Sequence, residues 1–267
     1  MAAILEVSLC SACTNNCAYC PQCLLRSRYD SNIKLMSFEN FKMAIDKLPP
    51  DSSVSFAGFS EPAMNPYFCD MVLYAHSKGH EISLFSTLVG LKIEQYNKIK
   101  DIPFGKLVIH LPDNCGKSKI KITRQYLEML KYFVDNPPEA ECEFTHHVGD
   151  LHPYVKDIVP HSHTICISDR AGNLRVDAPN VVKAKQTGKL KCNAFLSVPD
   201  GAGVLLPNGD IQVCCQDFGL EHTLGNLFIQ SWEEIMNSAE RKKFCASLLD
   251  EASDCMCRKC IRAESIT

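Results

Sequence analysis

The stretch Cys13-Thr14-Asn15-Asn16-Cys17-Ala18-Tyr19-Cys20 decides how this chain is read. Its three thiols have the spacing C-x3-C-x2-C and follow an apolar run, AILEVSL at 3–9, that reads as a strand. Thiolates this close together suit a cubane iron–sulfur cluster, whose irons are tetrahedral and sulfur-loving. Three ligands for four irons leave one iron open. A cluster that binds a substrate or cofactor needs that opening, whereas a pure electron carrier normally has four ligands. Cys10 and Cys23 extend the series, so zinc held by some of these five cysteines is the competing reading.

The rest of the composition narrows the setting. Sixteen cysteines are clustered, with five in residues 10–23 and three in 255–260, which favours metal ligation in a reducing compartment over disulfides. The single cysteines Cys69, Cys115, Cys142, Cys166 and Cys245 read as small buried hydrophobes. A net charge of -3 with scattered Lys and Arg gives no nucleic-acid footprint. No apolar run approaches the ~20 residues of a membrane span, and the N-terminus lacks a signal-peptide pattern. A cytoplasmic protein with neither a membrane nor a nucleic-acid partner is expected.

Outward from the cysteine loop, strand and helix patterns alternate. Ser37 can cap a helix whose apolar face is Phe38, Phe41, Ile45 and Leu48, ended by Pro49-Pro50. Strands are expected at 54–57, 81–85, 107–110 and 141–148, with a sixth at 164–168; helices are expected over 66–78, 92–100 and 122–134. This order implies right-handed βαβ units, a parallel sheet and an α/β class. Five or six units are too few for a closed eight-unit barrel, so a partial (β/α)6 TIM-like barrel fits, with function at the C-terminal strand ends. After about residue 185 the pattern changes. Val204–Leu206 and Ile211–Val213, around the Asn208-Gly209 turn, read as a β-hairpin, followed by a helix with Trp232, Ile235 and Met236. The expected domains are therefore 1–187 and 188–267.

The cysteine spacing at the end of a first strand resembles the signature of the radical S-adenosylmethionine (SAM) superfamily. The resemblance implies a SAM-binding [4Fe-4S] cluster on Cys13, Cys17 and Cys20. Reductive cleavage of SAM would give a 5'-deoxyadenosyl radical that abstracts a substrate hydrogen. Tyr19 would lie beside the adenine. Phe56-Ala-Gly58-Phe-Ser60-Glu61-Pro62 resembles the segment that receives the SAM ammonium, with Ser60 where a glycine is common. Ser86 and Thr87 loosely match the position near the SAM ribose and carboxylate. Ser168-Asp-Arg170-Ala-Gly-Asn173 resembles a segment of relatives with auxiliary clusters, so Arg170 would clamp the SAM carboxylate or a substrate oxygen. The bland alternative is a surface arginine in a turn.

Cys192, Cys214-Cys215 and Cys255-Met-Cys257-Arg-Lys-Cys260 surround the hairpin and helix, an order resembling SPASM domains and their shorter twitch form. The resemblance implies one auxiliary [4Fe-4S] cluster on Cys192, Cys214, Cys257 and Cys260, with Cys215 and Cys255 as alternates. A zinc knuckle on the same four is the structural alternative.

A closed auxiliary cluster points to net oxidation of a small polar substrate such as a sugar, a cyclitol or a nucleotide-sugar. With a strand expected from residue 3, no N-terminal domain for grasping a leader peptide is expected. His110, Asp113, His146 and His147 are expected near the strand ends, His110 being the candidate proton acceptor. The alternatives are a peptide maturase or epimerase, with Cys215, Cys166 or Cys23 as hydrogen donor, and a two-cluster electron carrier. A reducing flavodoxin- or ferredoxin-type partner is implied.

Overall fold

The computed structural model describes residues 3–159, 161–174, 181–194, 196 and 201–266. Six strands run parallel in chain order: β1 (Ile4–Val7), β2 (Ser53–Phe56), β3 (Glu81–Ser86), β4 (Lys106–His110), β5 (Cys142–His146) and β6 (His163–Thr164). Between them lie α1 (Gln22–Arg28), α2 (Phe38–Ile45), α3 (Phe68–Ser77), α4 (Ile93–Ile99), α5 (Arg124–Asp135) and the single turn α6 (Pro153–Lys156). The cap expected at Ser37 is present, its side chain accepting the Asn40 N–H. Thr123 caps α5 in the same way. Phe41 of α2 packs on Phe56 of β2 at 5.8 Å, and Phe68 of α3 meets Phe56 edge-on at 5.7 Å. All three rings are fully buried, each contributing about 1.5–3 kcal/mol of hydrophobic stabilisation.

Two expectations change. The strand expected at 164–168 is two pieces. β6 pairs with β5, while β7 (Ile167–Ser168) pairs with β8 (Val181–Val182) in a separate sheet. The chain leaves the barrel between them to enter the turn carrying Arg170. The hairpin does not stand apart either. After β9 (Lys189–Cys192), β10 (Gly201–Leu205) lies parallel to β1, with Val7 opposite Leu205, and β11 (Asp210–Gln212) and β12 (Thr223–Asn226) continue the same sheet. The nine-stranded order is β12-β11-β10-β1-β2-β3-β4-β5-β6, so one sheet crosses the boundary expected at 187/188. The Asn208-Gly209 turn forms as read, with Gly209 at φ +90° and Asn226 Nδ2 donating to Asn208 O at 3.0 Å. Beyond it come α7 (Trp232–Met236), with a Ser231/Glu234 capping box, and α8 (Ala239–Leu249). The last strand, β13 (Ala263–Ile266), returns to β9. None of the described helices is long and apolar enough to cross a membrane.

Candidate active site

The cysteine loop leaves the C-terminal end of β1 and is pinned from three directions. Gln22, buried at the start of α1, accepts the Cys13 N–H at 2.9 Å and donates to Phe59 O at 2.6 Å. Its Nε2 also lies 3.4 Å from Cys20 Sγ. On the far side, Ala18 N–H donates to Lys117 O at 2.8 Å, and Cys17 Sγ touches Ser118 O. Ser60 explains its departure from glycine. Its Oγ accepts the Cys10 N–H at 3.2 Å and pairs with Ser8 Oγ at 3.2 Å, bracing the end of β1 against the end of β2.

Gly58 makes that junction possible. It adopts φ +77°, and a Cβ there would lie 2.9 Å from Val204 Cγ1 and 3.1 Å from Ser8 Cβ. Left-handed strain and overpacking each cost about 1–3 kcal/mol. Gly58→Ala is therefore expected to destabilise the protein by ~2–4 kcal/mol, seen as a melting temperature lower by several degrees.

Glu61 closes the next joint. One carboxylate oxygen accepts from Ser86 Oγ at 2.6 Å and Ala63 N at 3.2 Å. The other accepts from Thr87 N at 2.6 Å and Thr87 Oγ1 at 2.7 Å. Burial raises the Glu61 carboxyl, and the Ser86 and Thr87 hydrogen bonds oppose that rise. With four donors engaged, a carboxylate's usual acceptor sites are filled. Glu61 thus locks β2 to β3 and presents negative charge with its geometry fixed. Asn15 Nδ2 bonds Thr87 Oγ1 at 3.0 Å, so this lock reaches back to the cysteine loop.

These residues face one open cavity, bordered by Cys13, Cys17, Cys20, Tyr19, Glu61 and Thr87. Gly58, Ser60, Ser86, His110, His147 and Arg170 complete its wall. An aromatic column crosses it: Phe85 on His110 at 6.5 Å, His110 on His147 at 5.3 Å and His147 on Tyr19 at 4.4 Å. His110 Nδ1 meets Thr145 Oγ1 at 2.7 Å. Burial, and then the Arg170 charge, depress His110 to about 4. It is therefore a neutral, hydrogen-bonding imidazole at neutral pH. Unfolded, it would bind a proton near pH 6.5. Stability is then present above that value and is lost as pH falls from ~6.5 to ~4, by up to ~3 kcal/mol. His110→Gln should flatten that part of the stability–pH curve. Asp113 and His146 are drawn away from the cavity. Asp113 accepts the Lys117 and Ser118 N–H groups at 2.9 and 2.6 Å, and His146 bonds Thr164 Oγ1 at 2.9 Å and Gly149 O at 3.1 Å.

Arg170 is half-buried in the turn rather than spread on the surface. Arg170, Ala171 and Gly172 take successive left-handed angles of 51°, 54° and 85°. Such a conformation is unfavourable for L-residues and needs support. Asn173 supplies it, its Nδ2 donating to Arg170 O at 2.9 Å and to Gln216 O at 2.8 Å. The Arg170 Nε is buried and has no partner among the described residues. A buried, unpaired guanidinium donor fits an anionic ligand.

A second chamber, about 1080 Å³ of space, shares Cys20, Tyr19, Gly58 and Arg170 with the first cavity. Its other walls bring Glu6 of β1 towards Cys166, Cys215, Gln216 and Arg262. Burial and the neighbouring Cys215 raise the Glu6 carboxyl well above the ordinary range, opposed by Arg262 and Arg170. Sequence reasoning missed Gln22, Glu6 and Arg262. For Glu6 the available signal was a lone carboxylate inside an apolar strand.

Beyond this chamber, Cys192, Cys214, Cys257 and Cys260 border one narrow space of about 380 Å³, which Arg262 also lines. Cys215 instead faces the chamber, and Cys255 faces a different cleft beside His222. Three of the four thiols sit near a backbone N–H two residues on: Ala194 to Cys192 at 3.3 Å, Gln216 to Cys214 at 3.4 Å and Arg262 to Cys260 at 3.4 Å. Such donors stabilise thiolates and suit cluster sulfurs. Among the described residues, no three His, Cys, Asp or Glu side chains converge closely enough to hold a single metal ion.

Residues 192–261 match the SPASM family, an iron-sulfur cluster-binding domain. No curated protein matches the sequence. Three solved structures share the fold over most of both chains. BtrN in complex with AdoMet and 2-DOIA aligns with a TM-score of 0.62 at 16% identity, over 94% of this chain and 88% of its own. Native anSMEcpe with bound AdoMet and Cp18Cys peptide gives 0.63 at 13%, over 97% and 86%. Streptococcus suis SuiB bound to precursor peptide SuiA gives 0.61 at 12%, over 92% and 67%. The chain shares the α/β fold of these three structures.

Proposed function

We propose that this protein is a radical SAM enzyme that abstracts a hydrogen atom from a small polar substrate and completes a net dehydrogenation. The observation that carries this reading is a chamber set between the two groups of cysteines. It shares Arg170 with the wall of the three-cysteine cavity and Arg262 with the wall of the four-cysteine space. When bound, SAM and its cluster supply a 5'-deoxyadenosyl radical, and the auxiliary cluster accepts an electron.

The chain's own residues do the rest. Cys13, Cys17 and Cys20 hold the first cluster and leave one position open. Tyr19 lies beside the adenine, Arg170 pairs with a carboxylate, and Gly58, Ser60, Glu61, Ser86 and Thr87 shape the pocket for the amino acid end of SAM. Cys192, Cys214, Cys257 and Cys260 hold the auxiliary cluster. Oxidation of an alcohol carbon removes one hydrogen atom, one proton and one electron. Glu6 faces the chamber between the two sites, and its ionised form, which the Arg262 and Arg170 charges favour and burial makes strongly basic, takes the proton from the hydroxyl oxygen, leaving a carbonyl. His110 and His147, both neutral, hydrogen-bond hydroxyl groups.

An anaerobic screen of deuterated sugars, cyclitols and nucleotide-sugars tests this reading. Deuterium should appear in 5'-deoxyadenosine together with a product two mass units lighter than the unlabelled substrate. Transfer from peptides alone would sink the small-substrate reading. Glu6→Gln should keep deuterium transfer while carbonyl formation falls about 100-fold, the usual scale of a lost general base.

Epimerisation is the second reading. Cys166 and Cys215 both face the chamber, whereas Cys23 projects to solvent on α1. A product of unchanged mass that gains solvent deuterium would favour it.

A further inference from the structure

The chamber between the two groups of cysteines has an inner and an outer side. On the inner side it shares Cys20, Tyr19, Gly58 and Arg170 with the first cavity. Where it meets solvent its wall carries Cys166, Ile261 and Arg262, all three exposed. Arg262 is set there by fixed backbone. Its O accepts the Asn193 N–H at 2.9 Å, its N–H lies 3.4 Å from Cys260 Sγ, and Ala263 beside it opens β13 opposite Cys192 of β9.

The fold makes no use of the Arg262 guanidinium. Nearby Arg258 shows the contrast: its Nε donates to Ser253 O at 2.7 Å, Nη1 to Gly188 O at 2.9 Å and Nη2 to Asp250 O at 2.7 Å. Among the described residues the Arg262 guanidinium has no such hydrogen bond and no ion pair. Among the described residues that line the chamber, Glu6 is the one carboxylate, against the guanidinium groups of Arg170 and Arg262. Ser168, Gln216, His110 and His147 add neutral hydrogen-bonding groups to the same wall. With Arg170 taken by the carboxylate of SAM, the Arg262 cation is left over.

From this placement we propose that the substrate carries an oxyanion, a phosphate or a carboxylate. Arg262 binds it where the chamber opens, while the reacting carbinol lies inside against Glu6. The inference rests on the dehydrogenation proposed above and narrows its substrate class. A guanidinium suits the task, because its planar fork matches two oxygens of a carboxylate or phosphate at once. An anion held at the opening keeps part of its hydration, so its desolvation cost is small. An aminated sugar would set like charge against Arg262 and Arg170 and is selected against.

The test uses the reconstituted full chain saturated with SAM, so that Arg170 is already engaged. The first probe is inorganic phosphate, measured by equilibrium dialysis. Wild type should bind it saturably. Arg262→Gln should weaken that binding about ten- to a hundredfold, the scale of a charge-assisted hydrogen bond. Arg262→Lys should recover part of the loss, since it keeps the charge without the fork. Unchanged iron content and melting temperature show that both variants fold and hold their clusters. The second probe is a panel of deuterated sugars and cyclitols in matched free, phosphorylated, acid and aminated forms. Deuterium transfer to 5'-deoxyadenosine should be fastest from a phosphorylated or an acid form, which also tells the two oxyanions apart. In Arg262→Gln that transfer should fall about tenfold or more at low substrate and recover at saturation, the mark of lost binding.

Phosphate binding that is absent in wild type, or unchanged in Arg262→Gln, would overturn the inference. So would transfer from a free or aminated form at least as fast as from its anionic counterpart, with the dehydrogenation reading left standing. If Arg262→Gln binds phosphate as wild type does but loses auxiliary-cluster iron, the arginine serves that cluster and the inference fails. Transfer from peptides alone would sink the small-substrate reading instead, and the phosphate measurement would still decide the anion site.

Discussion

Cys17→Ala is expected to abolish 5'-deoxyadenosine formation while leaving the auxiliary cluster in place. Cys17 is the middle of three thiols facing the first cavity, and its loop is fixed by Gln22, Ser60 and the 117–118 backbone. No other thiol can take its place without moving that loop. Cys10 is buried and Cys23 is exposed on α1, and neither faces the cavity. Two thiols cannot retain a cubane that already has one open iron. Iron should therefore fall from about eight to about four per chain, the content of one [4Fe-4S] cluster. Deoxyadenosine should drop by at least about a thousandfold, because no residual pathway to SAM cleavage remains. Iron analysis with chromatography of the nucleoside checks both numbers. Retention of eight irons would show that another residue supplies the ligand.

Cys214→Ala and Cys215→Ala should diverge although the two residues are neighbours. Cys214 turns into the space shared with Cys192, Cys257 and Cys260, whereas Cys215 turns into the chamber beside Glu6 and Arg170. Their thiols lie within hydrogen-bonding reach of each other just beyond β11, so the assignment rests on which space each one lines. Cys214→Ala is expected to lose about four irons and, with them, substrate oxidation. It should also lower thermal stability, since the cluster ties β9 and the 257–260 turn to the sheet. Cys215→Ala is expected to keep the full iron content. Iron analysis and the near-ultraviolet charge-transfer band of each variant give the answer. The opposite pattern would exchange the two ligand assignments.

Much of this was legible in the chain, and the remainder was not for definable reasons. The three-cysteine spacing, Glu61 and Arg170 lie in short contiguous motifs, so local sequence carries them. The helix cap at Ser37 and the Asn208-Gly209 turn are also local chemistry, and they form. Glu6 was passed over because alternation in ILEV looks the same whether its polar face meets solvent or the interior of a barrel. The pairing of β10 with β1 joins residues nearly 200 positions apart, which no periodicity reveals. The helix α8 buries only Phe244 and Leu248, too sparse a stripe to stand out. Gln22 acts by meeting Cys13 and Phe59, partners on different segments. Asp113 illustrates the converse error. A carboxylate at a strand end looked functional, yet its oxygens are taken by the turn that follows it.

The most direct measurement uses the wild-type chain, reconstituted anaerobically with iron and sulfide, then given SAM and dithionite. The account predicts about eight irons per chain, two [4Fe-4S] clusters, with 5'-deoxyadenosine and methionine formed in equal amounts. An intact cluster at the three-cysteine site that yields no 5'-deoxyadenosine would contradict it.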